Sequence, residues 1–217
     1  MKKIIKTIAI AVLSFSFSIY CNAQPKIGIK GGLNLSSMSG MVDFMKSAGE
    51  LGFEMPAYYK VSYAPAFHLG IMAQYDLLSR FFLQPELLFS MQGLKEDASG
   101  YGSETSRLNF LKLPFYAGYK INAGTGLDIL FGAGPYVAYG LFGSEGAYEN
   151  PGIFRRLDAG LSGMGGIQVD KLQITVGYDF GLVDQMDVNG WKTAKDLLGL
   201  SPIQNRNFKL SIAYLLK

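Results

Sequence analysis

Hydrophobic and polar residues alternate with a period of two along eight stretches of the chain. The first stretch shows the pattern clearly, because Ile27, Ile29, Leu33 and Leu35 alternate with small or polar residues. Such alternation predicts β-strands whose two faces lie in different environments. The predicted strands are Lys26–Leu35, Tyr63–Asp76, Phe81–Gly93, Arg107–Lys120, Leu127–Leu141, Leu157–Asp170, Leu172–Leu182 and Asn207–Leu216.

The connections between these strands are long and short in strict alternation. The long ones lie near residues 36–62, 94–106, 142–156 and 183–204, and the short ones near 77–80, 121–126 and 170–171. A meander with short turns at one end and long loops at the other is typical of bacterial outer-membrane barrels. We therefore predict an all-β fold, an eight-stranded antiparallel up-and-down transmembrane β-barrel of OmpA/OmpX-like architecture.

Strand length and aromatic residues favour a membrane environment. Many predicted strands reach ten or more residues, which is the length that a tilted strand needs to cross a bilayer. Aromatic residues stand near the strand ends, where interfacial girdles are expected. They are Tyr63, Tyr75, Phe81, Tyr119, Tyr139, Tyr178 and Tyr214. Prolines within the strands remove hydrogen-bond donors, so we expect bulges or local breaks there. These are Pro65, Pro85, Pro114 and Pro135.

A soluble barrel of the lipocalin type is the main alternative fold. It turns the apolar face inward around a ligand and leaves Lys30, Glu86, Lys112 and Asp179 in water. Periodicity alone fits both versions. The strand lengths, the outward aromatic set and an export signal favour the membrane version.

The N-terminus has the composition of a cleaved export signal. Three lysines precede the apolar segment Ile8–Tyr20, which is too short to cross a membrane as a helix. Small residues before Gln24 suit a signal peptidase, so we predict cleavage after Ala23. The predicted domains are a signal peptide at 1–23 and an outer-membrane barrel at 24–217.

Removal of this signal changes the charge of the chain. Cys21 as the acylated residue of a lipoprotein is the rival interpretation, but Tyr20 stands where that signal requires a small residue. Cleavage takes three lysines from the 20 basic residues, which leaves 17 to balance the 17 acidic ones. A neutral chain gives no argument for nucleic acid binding. It also lacks cysteine, so disulfides do not close the fold.

Several segments together resemble the PorT-like outer-membrane β-barrel family. The matching segments are Ile27–Ser36, Leu83–Phe89, Leu111–Phe115, Val176–Leu182 and Asn205–Ser211. The resemblance covers nearly the whole mature chain, and the order of the segments is more specific than any one of them. It implies an eight-stranded barrel in a Gram-negative outer membrane. It does not imply one activity, although the namesake belongs to a protein-secretion apparatus.

The chain departs from the common pattern at its last strand. Outer-membrane strands commonly end on an aromatic residue that the insertion machinery reads, whereas Tyr214 is followed by Leu215, Leu216 and Lys217. This departure concerns assembly more than fold.

The inward face of the predicted barrel is polar and carries both signs of charge. Eight strands enclose a space that side chains just fill. The predicted lumen network consists of Lys30, His68, Glu86, Lys112, Asp128, Asp158, Asp179 and Lys209. Glu86 and Lys112 lie on neighbouring strands and are placed to pair along the wall. Because unpaired buried charge is costly, mutual pairing in a plug is the favoured interpretation, and a selective pore is the alternative.

His68 is the single histidine and is predicted to point inward. Outer-membrane enzymes that cut or transfer acyl chains use a histidine to activate a serine. Ser90, on an adjacent strand with the same phase, and Ser162 are the candidate partners. The chain has no G-x-S-x-G segment, so a hydrogen-bonded filler is the favoured role. One histidine without mature cysteine excludes a His/Cys zinc cluster, and the sequence indicates no metal and no cofactor.

Two long loops carry short amphipathic segments. Val42–Leu51 and Trp191–Leu198 are predicted helices. The first loop is rich in methionine and aromatic residues, which suits either packing over the barrel mouth or contact with a partner. Trp191 suits an interfacial anchor, a binding hot spot or local packing.

We therefore expect an integral outer-membrane barrel that is not an enzyme. Its expected role is structural or lies in contacts of its surface loops, and the resemblance adds a possible accessory role in secretion. A narrow pore for small solutes and an outer-membrane lipid-modifying enzyme are the alternatives. The expected partners are outer-membrane lipids and a protein bound through the long loops, and the expected state is a monomer.

Overall fold

A computed structural model describes most of the chain outside its N-terminus. The described residues are 24–50, 59–77, 80–98, 102–124, 126–144, 147–148, 154–186 and 191–216. The predicted signal peptide at 1–23 lies outside these residues.

Eight strands and two helices make up the described structure. The strands are β1 (Lys26–Ser39), β2 (Tyr59–Asp76), β3 (Phe81–Ala98), β4 (Gly102–Asn122), β5 (Leu127–Gly143), β6 (Leu157–Val169), β7 (Leu172–Gly181) and β8 (Gln204–Leu215). The helices are α1 (Met41–Glu50), which follows β1, and α2 (Trp191–Leu198), which precedes β8. Both predicted helices are confirmed.

The strands form a closed barrel in sequence order. Each strand pairs antiparallel with its neighbours, and β1 pairs with both β2 and β8. Gly28, for example, lies opposite Met72 on one side and Leu215 on the other. Closure leaves no open sheet edge within the wall, which a bilayer requires because its core offers no hydrogen bonds. The predicted up-and-down barrel is confirmed.

The two faces of the wall separate apolar from polar residues. Leu69 and Ile212 on the outer face are 62% and 56% exposed, whereas Lys30 and Lys112 on the inner face are 4% and 1% exposed. A lipocalin-like barrel has the opposite arrangement, so the soluble alternative is wrong. The apolar outer surface is instead the surface that a membrane barrel presents to lipid.

Strands β2, β3 and β4 run further toward the long loops than the sequence predicted. The β3–β4 ladder continues to the pair Ala98 and Gly102, beyond the predicted strand ends at Gly93 and Arg107. Hydrophobic alternation fades in this polar stretch because no lipid faces it. Backbone pairing needs no apolar face, so the sheet continues.

The prolines within the strands do not all have the expected effect. The β2–β3 register shifts between Tyr63 and His68, which includes Pro65, as predicted. Pro85 and Pro135 instead pair in register with β4 and β6. A further shift, which the sequence did not indicate, lies between Asn109 and Phe110.

Candidate functional site

A cluster of three charges occupies the centre of the lumen. Asp179 of β7 accepts hydrogen bonds from Lys112 Nζ of β4 at 2.7 Å and from Lys209 Nζ of β8 at 2.7 Å. We call these three residues the central charge cluster. All are buried, and Asn207 Nδ2 donates a further bond of 3.0 Å to the same carboxylate. Because β4 and β8 stand on opposite sides of an eight-stranded ring, the cluster ties the two walls together.

Neutral side chains complete the surroundings of this cluster. Lys209 Nζ also donates to Tyr116 Oη at 3.0 Å and to Ser162 Oγ at 3.2 Å, and Ser162 Oγ donates to Asp179 at 2.5 Å. Lys112 Nζ lies 3.7 Å from the centre of the Tyr136 ring, within the range of a cation–π contact. These contacts compensate each charge for the water that it loses on burial.

A second ion pair joins β1 to β3 past the intervening strand β2. Lys30 Nζ donates to Glu86 Oε1 at 2.6 Å, and Gln84 Nε2 donates to the same oxygen at 2.7 Å. The expected pairing of Glu86 with Lys112 is therefore wrong. In the β3–β4 register Lys112 lies opposite Leu88, and its long side chain extends across the lumen rather than along the wall.

Asp158 is held by neutral donors nearer the long loops. Its carboxylate accepts from Tyr136 Oη at 3.0 Å, Gln185 Nε2 at 3.0 Å and Asn205 Nδ2 at 2.9 Å. The asparagine donors Asn205 and Asn207 lie on the inward phase of β8. The predicted strand begins at Asn207. Extending its alternating pattern by two residues toward the N-terminus places Asn205 on the inward face as well.

Asp128 lies apart from the lumen network that the sequence predicted for it. It is half-buried beside the short turn between β4 and β5, and it accepts a hydrogen bond from Asn122 Nδ2 at 3.1 Å. It shares the inward phase of the buried Leu130 on β5, as predicted, but it lies near the strand end, where the lumen opens to the turn. Lys120 at the same end pairs with Asp76 at 2.5 Å.

His68 joins β1, β2 and β8 rather than either predicted serine. Its Nδ1 lies 2.8 Å from Asn34 Oδ1, and its Nε2 lies 3.0 Å from Ser211 Oγ. Ser90 contacts Asn34, and Ser162 belongs to the surroundings of the central charge cluster. The ring fits because Gly32 lies opposite it, where a Cβ would approach His68 Cε1 to 2.8 Å.

The Asn34–His68–Ser211 chain has the order of an orienting group, a base and a nucleophile. Burial argues against that chemistry, since Asn34 is 0% exposed and His68 and Ser211 are each 2% exposed. An ester in the surrounding lipid lies on the other side of the barrel wall. The arrangement therefore serves best as a set of satisfied hydrogen bonds.

Apolar side chains fill the lumen at the long-loop end. We call the buried set there the mouth cluster. It contains Met38, Met41, Leu94, Leu108, Phe110, Tyr136, Ala138, Ala147, Tyr148, Met186, Trp191 and Ile203. Helices α1 and α2 both contribute, and the Phe44 and Trp191 rings meet edge to face at 5.3 Å between centroids. Two smaller apolar clusters, built around Leu130 and Leu215, lie toward the short turns.

Asp184 fixes α2 over the mouth cluster. Its carboxylate accepts from Trp191 Nε1 at 3.0 Å, Lys195 Nζ at 2.8 Å and the backbone N–H of Ile203 at 3.2 Å. Partial burial raises the pKa of this carboxyl, but the bonds from Lys195, Trp191 and Ile203 outweigh burial and hold its pKa below the ordinary value. No periodic signal marks this loop residue, so the sequence does not predict these contacts.

The described residues hold no group of three or more histidine, cysteine, aspartate or glutamate side chains placed to bind a metal. In the same part of the chain, no helix has the length and apolar character needed to cross a bilayer.

Comparison with solved structures finds other bacterial outer-membrane proteins. Neisserial surface protein A has a TM-score of 0.47 and 10% identity, over 90% of this chain and 99% of its own. OprG from Pseudomonas aeruginosa has a TM-score of 0.47 and 13% identity, over 88% and 95%. Ail, the attachment invasion locus protein of Yersinia pestis, has a TM-score of 0.38 and 11% identity, over 87% and 96%. None of these scores supports a statement about function.

Comparison with sequences places the chain in a family. No curated protein matches it significantly. The profile described as "Outer membrane protein beta-barrel domain" matches residues 22–187, which is more than half of the chain. Together with the closed eight-stranded ring, this match locates the protein in the outer membrane. The chain belongs to the outer membrane protein β-barrel domain family.

Proposed function

We propose that the protein is a non-enzymatic, closed outer-membrane barrel that acts as a monomer through contacts of its extracellular part. The observation that carries this proposal is the filled lumen. Side chains from opposite walls meet at 2.7 Å in the central charge cluster, and the mouth cluster covers it toward the long loops. A barrel filled in this way offers its outer and extracellular surfaces, rather than its interior, to other molecules.

The extension of β2, β3 and β4 supports a contact role. Pairing of β1 with β2 ends at Ser36 and Ala64, and pairing of β4 with β5 ends at Leu108 and Gly143. The β3–β4 ladder continues to Gly102, so six further residues of β4 stand beyond the closed wall. At about 3.3 Å per residue they reach roughly 20 Å along the strand. Ser103 and Glu104 near its tip are exposed.

Planar-bilayer recordings test the closed state. Folded wild-type protein is expected to give no large, steady openings. A triple variant with Lys112→Ala, Asp179→Ala and Lys209→Ala removes the contacts across the centre of the lumen and tests the contribution of the centre alone, because the mouth cluster remains in place. Large, steady openings of the wild type would defeat the proposal in favour of a pore for small solutes.

An assay with labelled phospholipid tests the enzyme alternative, for which Asn34, His68 and Ser211 are the candidate residues. Purified protein is expected to leave the lipid unchanged. Hydrolysis that disappears in Ser211→Ala but survives in Ser90→Ala would establish a lipid-modifying enzyme instead.

Crosslinking in intact cells tests the contact role. Cys21, the only cysteine of the chain, is removed by the predicted cleavage after Ala23. A single introduced thiol therefore reports one position. Ser103→Cys on the extension is expected to crosslink to another envelope protein, and Asn122→Cys at the short-turn end serves as the control, since both residues are exposed. A component of a secretion apparatus is the partner that the PorT-like resemblance suggests. Adducts only through Asn122→Cys would contradict an extracellular contact site.

A further inference from the structure

A groove interrupts the lipid-facing wall of the barrel in its short-turn half. Its floor is formed by Ala117 of β4, Ala133 of β5 and Gly163 of β6, and its volume is about 520 Å³. The register explains the groove, because Ala117 lies opposite Ala133, and Ala133 opposite Gly163. Three adjacent strands thus present their smallest outward side chains in one row.

The second outward row from this one, nearer the short turns, carries larger side chains. There Ile121, Ile129 and Ile167 occupy the outward positions of β4, β5 and β6. At Gly163, by contrast, an added Cβ would meet no atom within 4 Å, so the floor of the groove is open. In a bilayer this space adjoins hydrocarbon without water, and an acyl chain is the available occupant.

Aromatic side chains and a cation border the groove at its short-turn end. Phe81 and Tyr119 line it and meet edge to face with ring centroids 5.1 Å apart. Arg80 precedes Phe81, is exposed, and donates from Nη1 to Tyr119 Oη at 3.1 Å. Paired aromatic residues of this kind mark the membrane–water interface, so the guanidinium lies at the level of lipid head groups.

We propose that this groove binds one phospholipid of the inner leaflet, with an acyl chain along Ala117, Ala133 and Gly163 and the phosphate on Arg80. Short turns face the periplasm in such barrels, which places Arg80 at the inner leaflet. Guanidinium groups bind phosphate oxygens through two parallel hydrogen bonds. Charge and groove therefore match an amphiphile with an apolar tail and an anionic head.

Native mass spectrometry of the detergent-purified protein with palmitoyl-oleoyl phosphatidylglycerol tests the site. Wild type is expected to retain one lipid. Gly163→Leu places a side chain on the open floor, where its Cβ meets no atom within 4 Å, and Arg80→Gln removes the cation. Each is expected to lower the occupancy at least tenfold at fixed lipid concentration. Two matched controls are expected to retain the lipid. They are Gly31→Leu on the outer face of β1 and Lys171→Gln at another short turn.

A second probe separates the head group from the tail. Diacylglycerol with the same acyl chains lacks the phosphate and is expected not to be retained. Retention of phosphatidylglycerol by Gly163→Leu at the wild-type level, or equal retention of diacylglycerol, would overturn the site. A gel-mobility check of folding for each variant ensures that lost binding is not lost structure.

Discussion

The centre of the lumen and its mouth are filled in opposite ways. At the centre, the buried Asp179 binds two lysines among hydroxyl and amide groups. At the mouth, apolar residues from strands and helices pack together, and one half-buried carboxylate, that of Asp184, fixes the covering helix. A closed barrel therefore supports buried charge where side chains from several strands pair with it. At the water-facing end, apolar packing holds the covering helices in place.

The largest expected effect is at the centre. Asp179→Asn keeps the shape but leaves Lys112 and Lys209 without a carboxylate, so we expect a loss of about 3–5 kcal/mol in the free energy of unfolding. Denaturant titration in lipid vesicles measures this loss. Asp128→Asn is the matched control, since Asp128 is half-buried at a turn, and we expect a change within about 0.5 kcal/mol. Equal losses in the two variants would contradict the special role of the centre.

A smaller and more local effect is expected at the mouth. Trp191→Ala removes the ring contact with Phe44 and the hydrogen bond to Asp184. We therefore expect the free energy that holds α2 over the mouth cluster to fall by about 3 kcal/mol. Faster amide hydrogen exchange in α2, with strand exchange unchanged, is the expected result. Leu197→Ala is the control on the same helix, because Leu197 is 82% exposed. Faster exchange throughout the strands would show that mouth and centre unfold as one unit.

The smallest expected effect is a pH dependence confined to the mouth. The pKa of Asp184 is lowered in the folded protein, so the ionised carboxylate stabilises the position of α2 over the mouth. This stabilisation is complete above the unfolded pKa of about 3.9 and is lost as the pH falls through the folded pKa. Trp191 is the single tryptophan and reports the opening by its fluorescence. We expect a spectral shift only at acidic pH, and its absence in Asp184→Asn. A shift near neutral pH would contradict this assignment.

Much of the fold follows from the sequence because its causes are local. A period of two fixes which face each residue occupies, and this was enough to place Lys30 and Asp179 inside and Ile212 outside. The amphipathic segments that became α1 and α2 were equally readable. The ends of the strands were harder to predict. The β3–β4 ladder continues to Gly102, and no apolar pattern marks this part of the two strands.

The contacts of the lumen could not be predicted in the same way. Alternation gives the face of a residue but neither its height along the barrel nor the side chain that meets it from the opposite wall. Glu86 was therefore assigned to Lys112 instead of Lys30, and His68 to Ser90 instead of Ser211. Both errors assumed contacts between adjacent strands, whereas these side chains reach past one strand to the next but one.

The pairing of β1 with β8 has a consequence for biogenesis. The hydrogen bonds of β1 are shared with β8, the last strand of the ring in sequence order, so the ring stays open until β8 is in place. An open ring inserted in lipid leaves backbone groups without partners, at a cost of several kcal/mol for each. The wall can therefore close in lipid only after β8 has reached β1, and until then the apolar strands are exposed to aggregation.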